Sequence, residues 1–202
     1  MKKGLLAILI CYTLVLQGCS VSWVATLDRL VAAAAPALNN VITIVALSQN
    51  KPVNQVLEDK ITTDAAALKK LATDFANGTG PTPTTCQEVQ AAANLLNDDA
   101  ATVLVLVQSV GSANSNLAAI FAAADAFVIV IVGLIPSCAS PAALKASVPA
   151  KVAKIDVGAL VSAYNIALTK PSGNAAVDAF AKANKLPEHG KLVHVLTLDV
   201  VK

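Results

Sequence analysis

The fold is decided by one apolar stretch, LAAIFAAADAFVIVIVGLI, which runs from Leu117 to Ile135. Its 19 residues include a single charge, Asp125. A segment that is apolar on every side is typical of a helix surrounded by other helices. We therefore expect the central helix of a bundle. The alternatives are a second membrane contact and the wall of an apolar cavity. We expect Asp125 to reach the surface or to bond to a polar neighbour, and a functional carboxylate is the alternative.

The rest of the chain predicts an all-α, multi-helix bundle. About one residue in five is Ala, the best helix former, and only 3 % are aromatic. We expect Pro36 to kink or break the first helix near Ala35, and residues 79–85 to form a loop. Helical spacing of apolar residues, with Pro and Gly at segment ends, predicts helices over 22–49, 52–77, 86–110, 114–135, a short stretch after Ser140, 149–169 and 174–186.

The last segment, 191–202, is rich in β-branched residues, which favours a strand. No second strand is evident to pair with it, and a lone strand leaves backbone groups unpaired. We expect an extended or short strand-like tail packed on the bundle.

The N-terminus combines Lys2 and Lys3 with a 13-residue apolar run, 4–16, that is too short to span a bilayer. The run ends in Leu16-Gln17-Gly18-Cys19, which resembles the lipobox of bacterial lipoproteins. The resemblance implies that 1–18 is a cleaved signal peptide. It also implies that Cys19 carries diacylglycerol on its sulfur and a fatty acid such as palmitate on its amine. The alternatives are an ordinary secretory peptide and a permanent transmembrane helix.

This resemblance implies a lipid-anchored protein of the bacterial envelope. Ser20, rather than Asp, follows the cysteine, which favours the outer membrane facing the periplasm. Residues 19–202 would form one helical domain, with only three residues between Cys19 and Trp23. Trp23 lies either at the headgroup level or in the core. Without the two signal-peptide lysines the chain has 13 basic and 13 acidic residues. Such a balance offers no basic stripe for nucleic acid.

The cysteines predict a disulfide. If Cys11 is removed with the signal peptide and Cys19 is acylated, Cys86 and Cys138 remain as a pair in a compartment that permits disulfides. Cys86 begins one predicted long helix and Cys138 follows the next. An antiparallel hairpin of these two helices would bring the cysteines together.

Reaction chemistry has little support in the sequence. His189 and His194 are five residues apart and diverge on a helix or a strand, so they do not predict a zinc site. Asp98 and Asp99 point in different directions on a helix, and no third acidic ligand lies at useful spacing. We expect no cofactor, no metal and no enzymatic activity. The leading interpretation is a scaffolding or protein-interaction role with an envelope partner, and the alternative is a carrier of a lipid-like apolar molecule. An enzyme would need a cleft that brings a histidine beside an Asp and a Ser.

Overall fold

The computed structural model describes residues 2–77, 83–110, 115–135 and 155–188, and its side-chain detail begins at Trp23. Within these ranges every regular element is a helix, which confirms the predicted all-α class. The predicted short helix after Ser140 and the predicted strand at 191–202 lie outside the described residues. The helices are α1 (Lys2–Gln49), α2 (Gln55–Asn77), α3 (Pro83–Ser109), α4 (Ser115–Leu134), α5 (Val157–Leu168) and α6 (Ala175–Ala183).

Four of these helices, α1 to α4, form the bundle. α1 packs against α2, α3 and α4, while α2 also packs against α3, and α3 against α4. α5 lies against α4 and α1, and α6 lies against α1. Their inward side chains form one continuous apolar core.

The apolar stretch 117–135 is therefore a core helix, but it is not surrounded on all sides as we expected. Its inward residues Phe127, Val128 and Ile131 are fully buried. Ile129 on the opposite side is 60 % exposed. α1, α3 and α5 pack against α4, and the side that holds Ile129 stays exposed.

α1 continues through Pro36 as one helix, so the expected break near Ala35 does not occur, and the alternative, a kink there, stays a prediction. Proline lacks the N–H that would bond to the carbonyl one turn earlier, which normally weakens a helix interior. Here Pro36 is on the exposed side, while Ala34 and Ala37 beside it are fully buried. Core packing on both sides of the proline holds the helix together.

Several helix bounds differ from the sequence prediction because polar side chains cap them. α2 begins at Gln55 rather than at Pro52, since the Asn54 side chain accepts a bond from the N–H of Leu57 at 3.2 Å. α5 begins at Val157 rather than at 149, with Asp156 as its N-cap. α3 begins at Pro83, within the predicted loop, because proline is well tolerated in the first helical turn.

α5 and the chain after α6 are held on the bundle by buried polar contacts. The Tyr164 hydroxyl donates to the carbonyl of Ala37 at 3.3 Å. The Asn165 amide bonds to both backbone groups of Leu186, each at 2.8 Å. Asn40 of α1 donates to the carbonyl of Asn184 at 2.9 Å. These contacts attach residues 184–186 to α1 and α5.

Candidate functional site

One end of the bundle lies next to the predicted acylation site. The part of α1 around Trp23, the end of α2, the start of α3 and the end of α4 meet there. The Trp23 and Phe75 rings pack edge to face with centroids 5.7 Å apart. They line a crevice that has no room for a water molecule. We call this region the Trp23 end, and its lining residues are Trp23, Phe75, Cys86, Val89 and Ile135.

Trp23 is 4 % exposed, which confirms the core alternative for this side chain. Cys19 precedes it by four residues within α1, and α1 is continuous through both positions. At 1.5 Å per residue the two positions are about 6 Å apart along the helix. The predicted acylation site is therefore one helical turn from the packed core.

Cys86 is on the inner face of α3 at the Trp23 end and is 1 % exposed. It is a disulfide-bonded cysteine. Cys138 lies outside the described residues, so the Cys86–Cys138 pairing stays a prediction. Ile135, three residues before Cys138, lines the same crevice as Cys86.

The opposite end of the bundle, which we call the far end, contains polar contacts. Gln49 at the end of α1 bonds to Ser109 at the end of α3 at 3.1 Å. The Asn116 amide at the start of α4 donates to the carbonyls of Lys170 and Pro171 at 3.0 and 2.6 Å. The last turn of α5 thus lies beside the first turn of α4.

Charge is distributed unevenly around the bundle. α2 carries seven charged side chains, whereas α4 carries only Asp125 and α5 carries none. Among the described residues, two helical stretches are long and apolar enough to cross a membrane: Trp23–Gln49 and Asn116–Leu134. Both also bury a face in the bundle, with 61 % and 44 % of their most apolar windows inside. Core helices of soluble bundles meet the same criteria.

Asp125 is half-buried on α4, and burial raises the pKa of its carboxyl. It is beside the exposed side of the helix and not in the centre of the core. Its position agrees with the expectation that this carboxylate reaches the surface.

The sequence analysis missed a polar cluster between α2 and α3. Asp99 is 2 % exposed and pairs with Lys60 at 2.5 Å, and Lys60 also pairs with Asp64 at 2.7 Å. Burial raises the pKa of Asp99, and the bond to Lys60 opposes that rise. Asp98 is exposed, so the two adjacent carboxylates do point in different directions, as predicted. In the sequence, the spacing of Lys60 and Asp64 is that of one helical turn. Nothing in the sequence indicates that Asp99 of α3 is the other partner of Lys60.

Within the described ranges no group of His, Cys, Asp and Glu side chains could hold a metal ion. His189 and His194 lie outside those ranges, so the structure brings neither of them to a described site. Comparison with protein-family models, curated proteins and solved structures finds no match to this chain.

Proposed function

We propose that this protein is an acylated lipoprotein of the bacterial envelope, anchored through Cys19, whose helical bundle has a non-enzymatic scaffolding or protein-interaction role at the membrane surface. The observation that carries the proposal is the lipobox-like sequence one helical turn before the core. Cleavage before Cys19 would leave Trp23 and its packing intact, so the proposed mature N-terminus coincides with the start of the folded body.

The short connection supports a surface role. Two or three acyl chains give stable anchoring, whereas one chain gives only marginal binding. Ser20, Val21 and Ser22 are too few to act as a flexible spacer. A bundle held this closely can present its sides to envelope partners near the bilayer, and it cannot reach far into the periplasm.

We further propose that α3 and α4 form an antiparallel hairpin stapled by a Cys86–Cys138 disulfide. Cys86 and Ile135 line one crevice, and three further residues reach at most about 10 Å. That reach is sufficient for the Cα separation of about 4.4 to 6.8 Å that a disulfide needs. The disulfide-bonded state of Cys86 supports the same pairing.

The Trp23 end offers no pocket for the ligand of the carrier alternative. A pocket for a drug-sized ligand has a volume of about 300 to 1,000 Å³. The crevice between Trp23, Phe75 and Ile135 does not admit a water molecule. An apolar ligand would need another site.

The anchor is tested by expressing the full chain in a bacterial host with an alkyne-bearing palmitate analogue. We expect label on the wild-type protein and a mature mass that begins at Cys19 with its acyl groups. Cys19→Ser should lose the label and the membrane association. Label retained in Cys19→Ser would contradict the proposal.

Cys11 offers a matched control because it belongs to the same helix and lies within the proposed signal peptide. Cys11→Ser should leave both the label and the mature mass unchanged. Loss of label in both variants would mean that general damage to the signal, and not the identity of residue 19, is being measured.

A further inference from the structure

The exposed side of α4 near the Trp23 end is apolar. Ile129 is 60 % exposed and Val132 is 36 % exposed, both within the last two turns of the helix. Gly133 beside them is also exposed. Leu134 and Ile135, which follow at once, turn into the core and the Trp23 crevice. This exposed patch is therefore close to the proposed anchor.

We infer that the patch formed by Ile129 and Val132 rests in the headgroup region of the bilayer that holds the acylated Cys19. The inference rests on the proposed function, because it requires the anchor. It adds an orientation relative to the bilayer. The Trp23 end faces the lipid, the bundle axis tilts toward the α4 side, and the far end is away from the lipid. We call the Ile129–Val132 surface the α4 patch.

Distances along the helices support this contact. Cys19 is about 6 Å from Trp23 along α1, by the helical rise. Trp23 and Ile135 line the same crevice. Ile129 is six residues before Ile135, or about 9 Å along α4. Ile129 is thus about 15 Å from Cys19 along the bundle axis, and the lean toward α4 is what brings the patch into the headgroup region.

The distribution of charge supports the same side. α4 packs against α1, α3 and α5, while the seven charged residues of α2 are on a helix that packs against α1 and α3. Tilting toward α4 therefore brings fewer charges to the lipid than tilting toward α2. Asp125 is one turn above Ile129, about 6 Å along the axis, and sets the upper limit of the contact because a carboxylate in hydrocarbon is costly.

The contact is shallow and does not involve a spanning helix. Phe127, Val128 and Ile131 on the other side of α4 are fully buried in the core. Spanning would require these side chains to leave the core, where the Phe127 ring packs against Tyr164 of α5. A surface contact needs only residues that are already exposed.

A pair of isoleucines allows a controlled test. Ile129 and Ile166 are 60 % and 61 % exposed, and both belong to helices with few or no charges. Ile166 is in the last turn of α5, beside the far end. Two single variants, Ile129→Cys and Ile166→Cys, are labelled with an environment-sensitive fluorophore in the absence of reductant. The fluorophore then lies on α4 near the Trp23 end in one variant and on α5 near the far end in the other.

The acylated variants are placed in vesicles of phosphatidylethanolamine and phosphatidylglycerol that contain a nitroxide-bearing lipid. We expect quenching at position 129 to exceed quenching at position 166 several-fold, and Val132→Cys should behave like Ile129→Cys. Circular dichroism checks that each variant keeps the helical content of the wild type.

Other outcomes overturn the inference. Equal quenching at 129 and 166 would mean that the uncharged side of the bundle lies flat on the membrane. No quenching at 129 or 132 in protein whose Cys19 is acylated, as measured by mass spectrometry of the same sample, would leave the anchor standing and remove the α4 contact. An unmodified Cys19 would overturn both the inference and the proposed function.

Discussion

Asp98 and Asp99 are neighbours in the sequence and differ completely in environment. Asp98 is exposed, whereas Asp99 is 2 % exposed and is neutralised by Lys60 of α2. One Asp99 oxygen has no hydrogen-bond partner among the described residues. A buried carboxylate in this state depends on its cation, because burial penalises its charge.

We predict that Lys60→Ala lowers the free energy of unfolding by about 1 to 2 kcal/mol at neutral pH, since it leaves a buried acceptor without its charged donor. Lys60 is itself half exposed, which keeps the expected loss at the lower end of the range for ion pairs. Chemical denaturation followed by circular dichroism measures the loss.

The effect of Lys60→Ala on stability should also depend on pH. The pKa of Asp99 is raised in the folded state, so its ionised form costs stability above the ordinary carboxyl range. That cost disappears as the pH falls below the unfolded pKa of about 4, where the carboxyl becomes neutral in both states. The difference between wild type and Lys60→Ala should therefore be largest at neutral pH and close toward pH 4. A difference independent of pH would contradict the role of Asp99.

Lys70→Ala is the matched control for Lys60→Ala. Lys70 pairs with Asp74 at 2.6 Å on the same helix, but both side chains are mostly exposed. Water replaces such a partner readily, so we expect no resolvable change in stability. Equal losses in the two variants would mean that the burial of Asp99 does not decide the effect.

At the scale of the elements, capping groups and buried amides set where each helix ends and what it packs on. Asp156 accepts from the N–H of Ala159 at 3.0 Å and begins α5. Asn174 accepts from the N–H groups of Ala176 and Val177 and begins α6. The Asn165 side-chain amide, near the end of α5, hydrogen-bonds to both the N–H and the carbonyl of Leu186, which follows α6.

We predict that Asn165→Ala lowers the free energy of unfolding by about 2 kcal/mol, because it leaves a buried N–H and a buried carbonyl of Leu186 unpaired. Hydrogen exchange at the Leu186 amide should accelerate in the variant more than exchange at core positions of α1. This pattern would report detachment of residues 184–186 from α5.

Asn116→Ala is the control for the loss of two hydrogen bonds made by a side-chain amide. The Asn116 amide also donates to two carbonyls, but its contacts are exposed to solvent. We expect a smaller loss of stability than for Asn165→Ala. A loss as large as that of Asn165→Ala would mean that burial does not decide the effect.

At the scale of the whole molecule, the bundle has two unlike ends and two unlike sides. The Trp23 end is aromatic and aliphatic, and the far end is polar. α2 is highly charged, and α4 has one charge. The proposed anchor and the proposed disulfide belong to the same end, so both would stabilise the part of the bundle nearest the membrane.

We predict that reduction of the Cys86–Cys138 bond lowers the free energy of unfolding by about 4 kcal/mol, the loop-entropy value for a closed loop of 53 residues. Denaturation with and without reductant measures this loss, and Cys138→Ala should remove the sensitivity to reductant. Two thiols that alkylate in unreduced, denatured protein would contradict the pairing.

The sequence by itself determined the helical class. Ala-rich segments with apolar residues at helical spacing form helices whatever surrounds them, and the existence of α2, α3, α4 and α6 follows from that local pattern. It also contained the lipobox-like motif, which is local by nature. Helix starts were less accurate. Asn54 and Asp156 act through single hydrogen bonds to the backbone, which a periodic pattern does not resolve. Pro83 begins α3 within the segment that the pattern assigned to a loop.

Only the tertiary structure decided the features that depend on which helices become neighbours. Pro36 is accommodated because the alanines beside it are packed on the core, and Asp99 is buried because Lys60 is on the adjacent helix. One side of α4 is exposed because the helices that pack against it, α1, α3 and α5, leave that side uncovered. Each of these outcomes depends on contacts between residues far apart in the chain, and local propensity carries no information about such contacts.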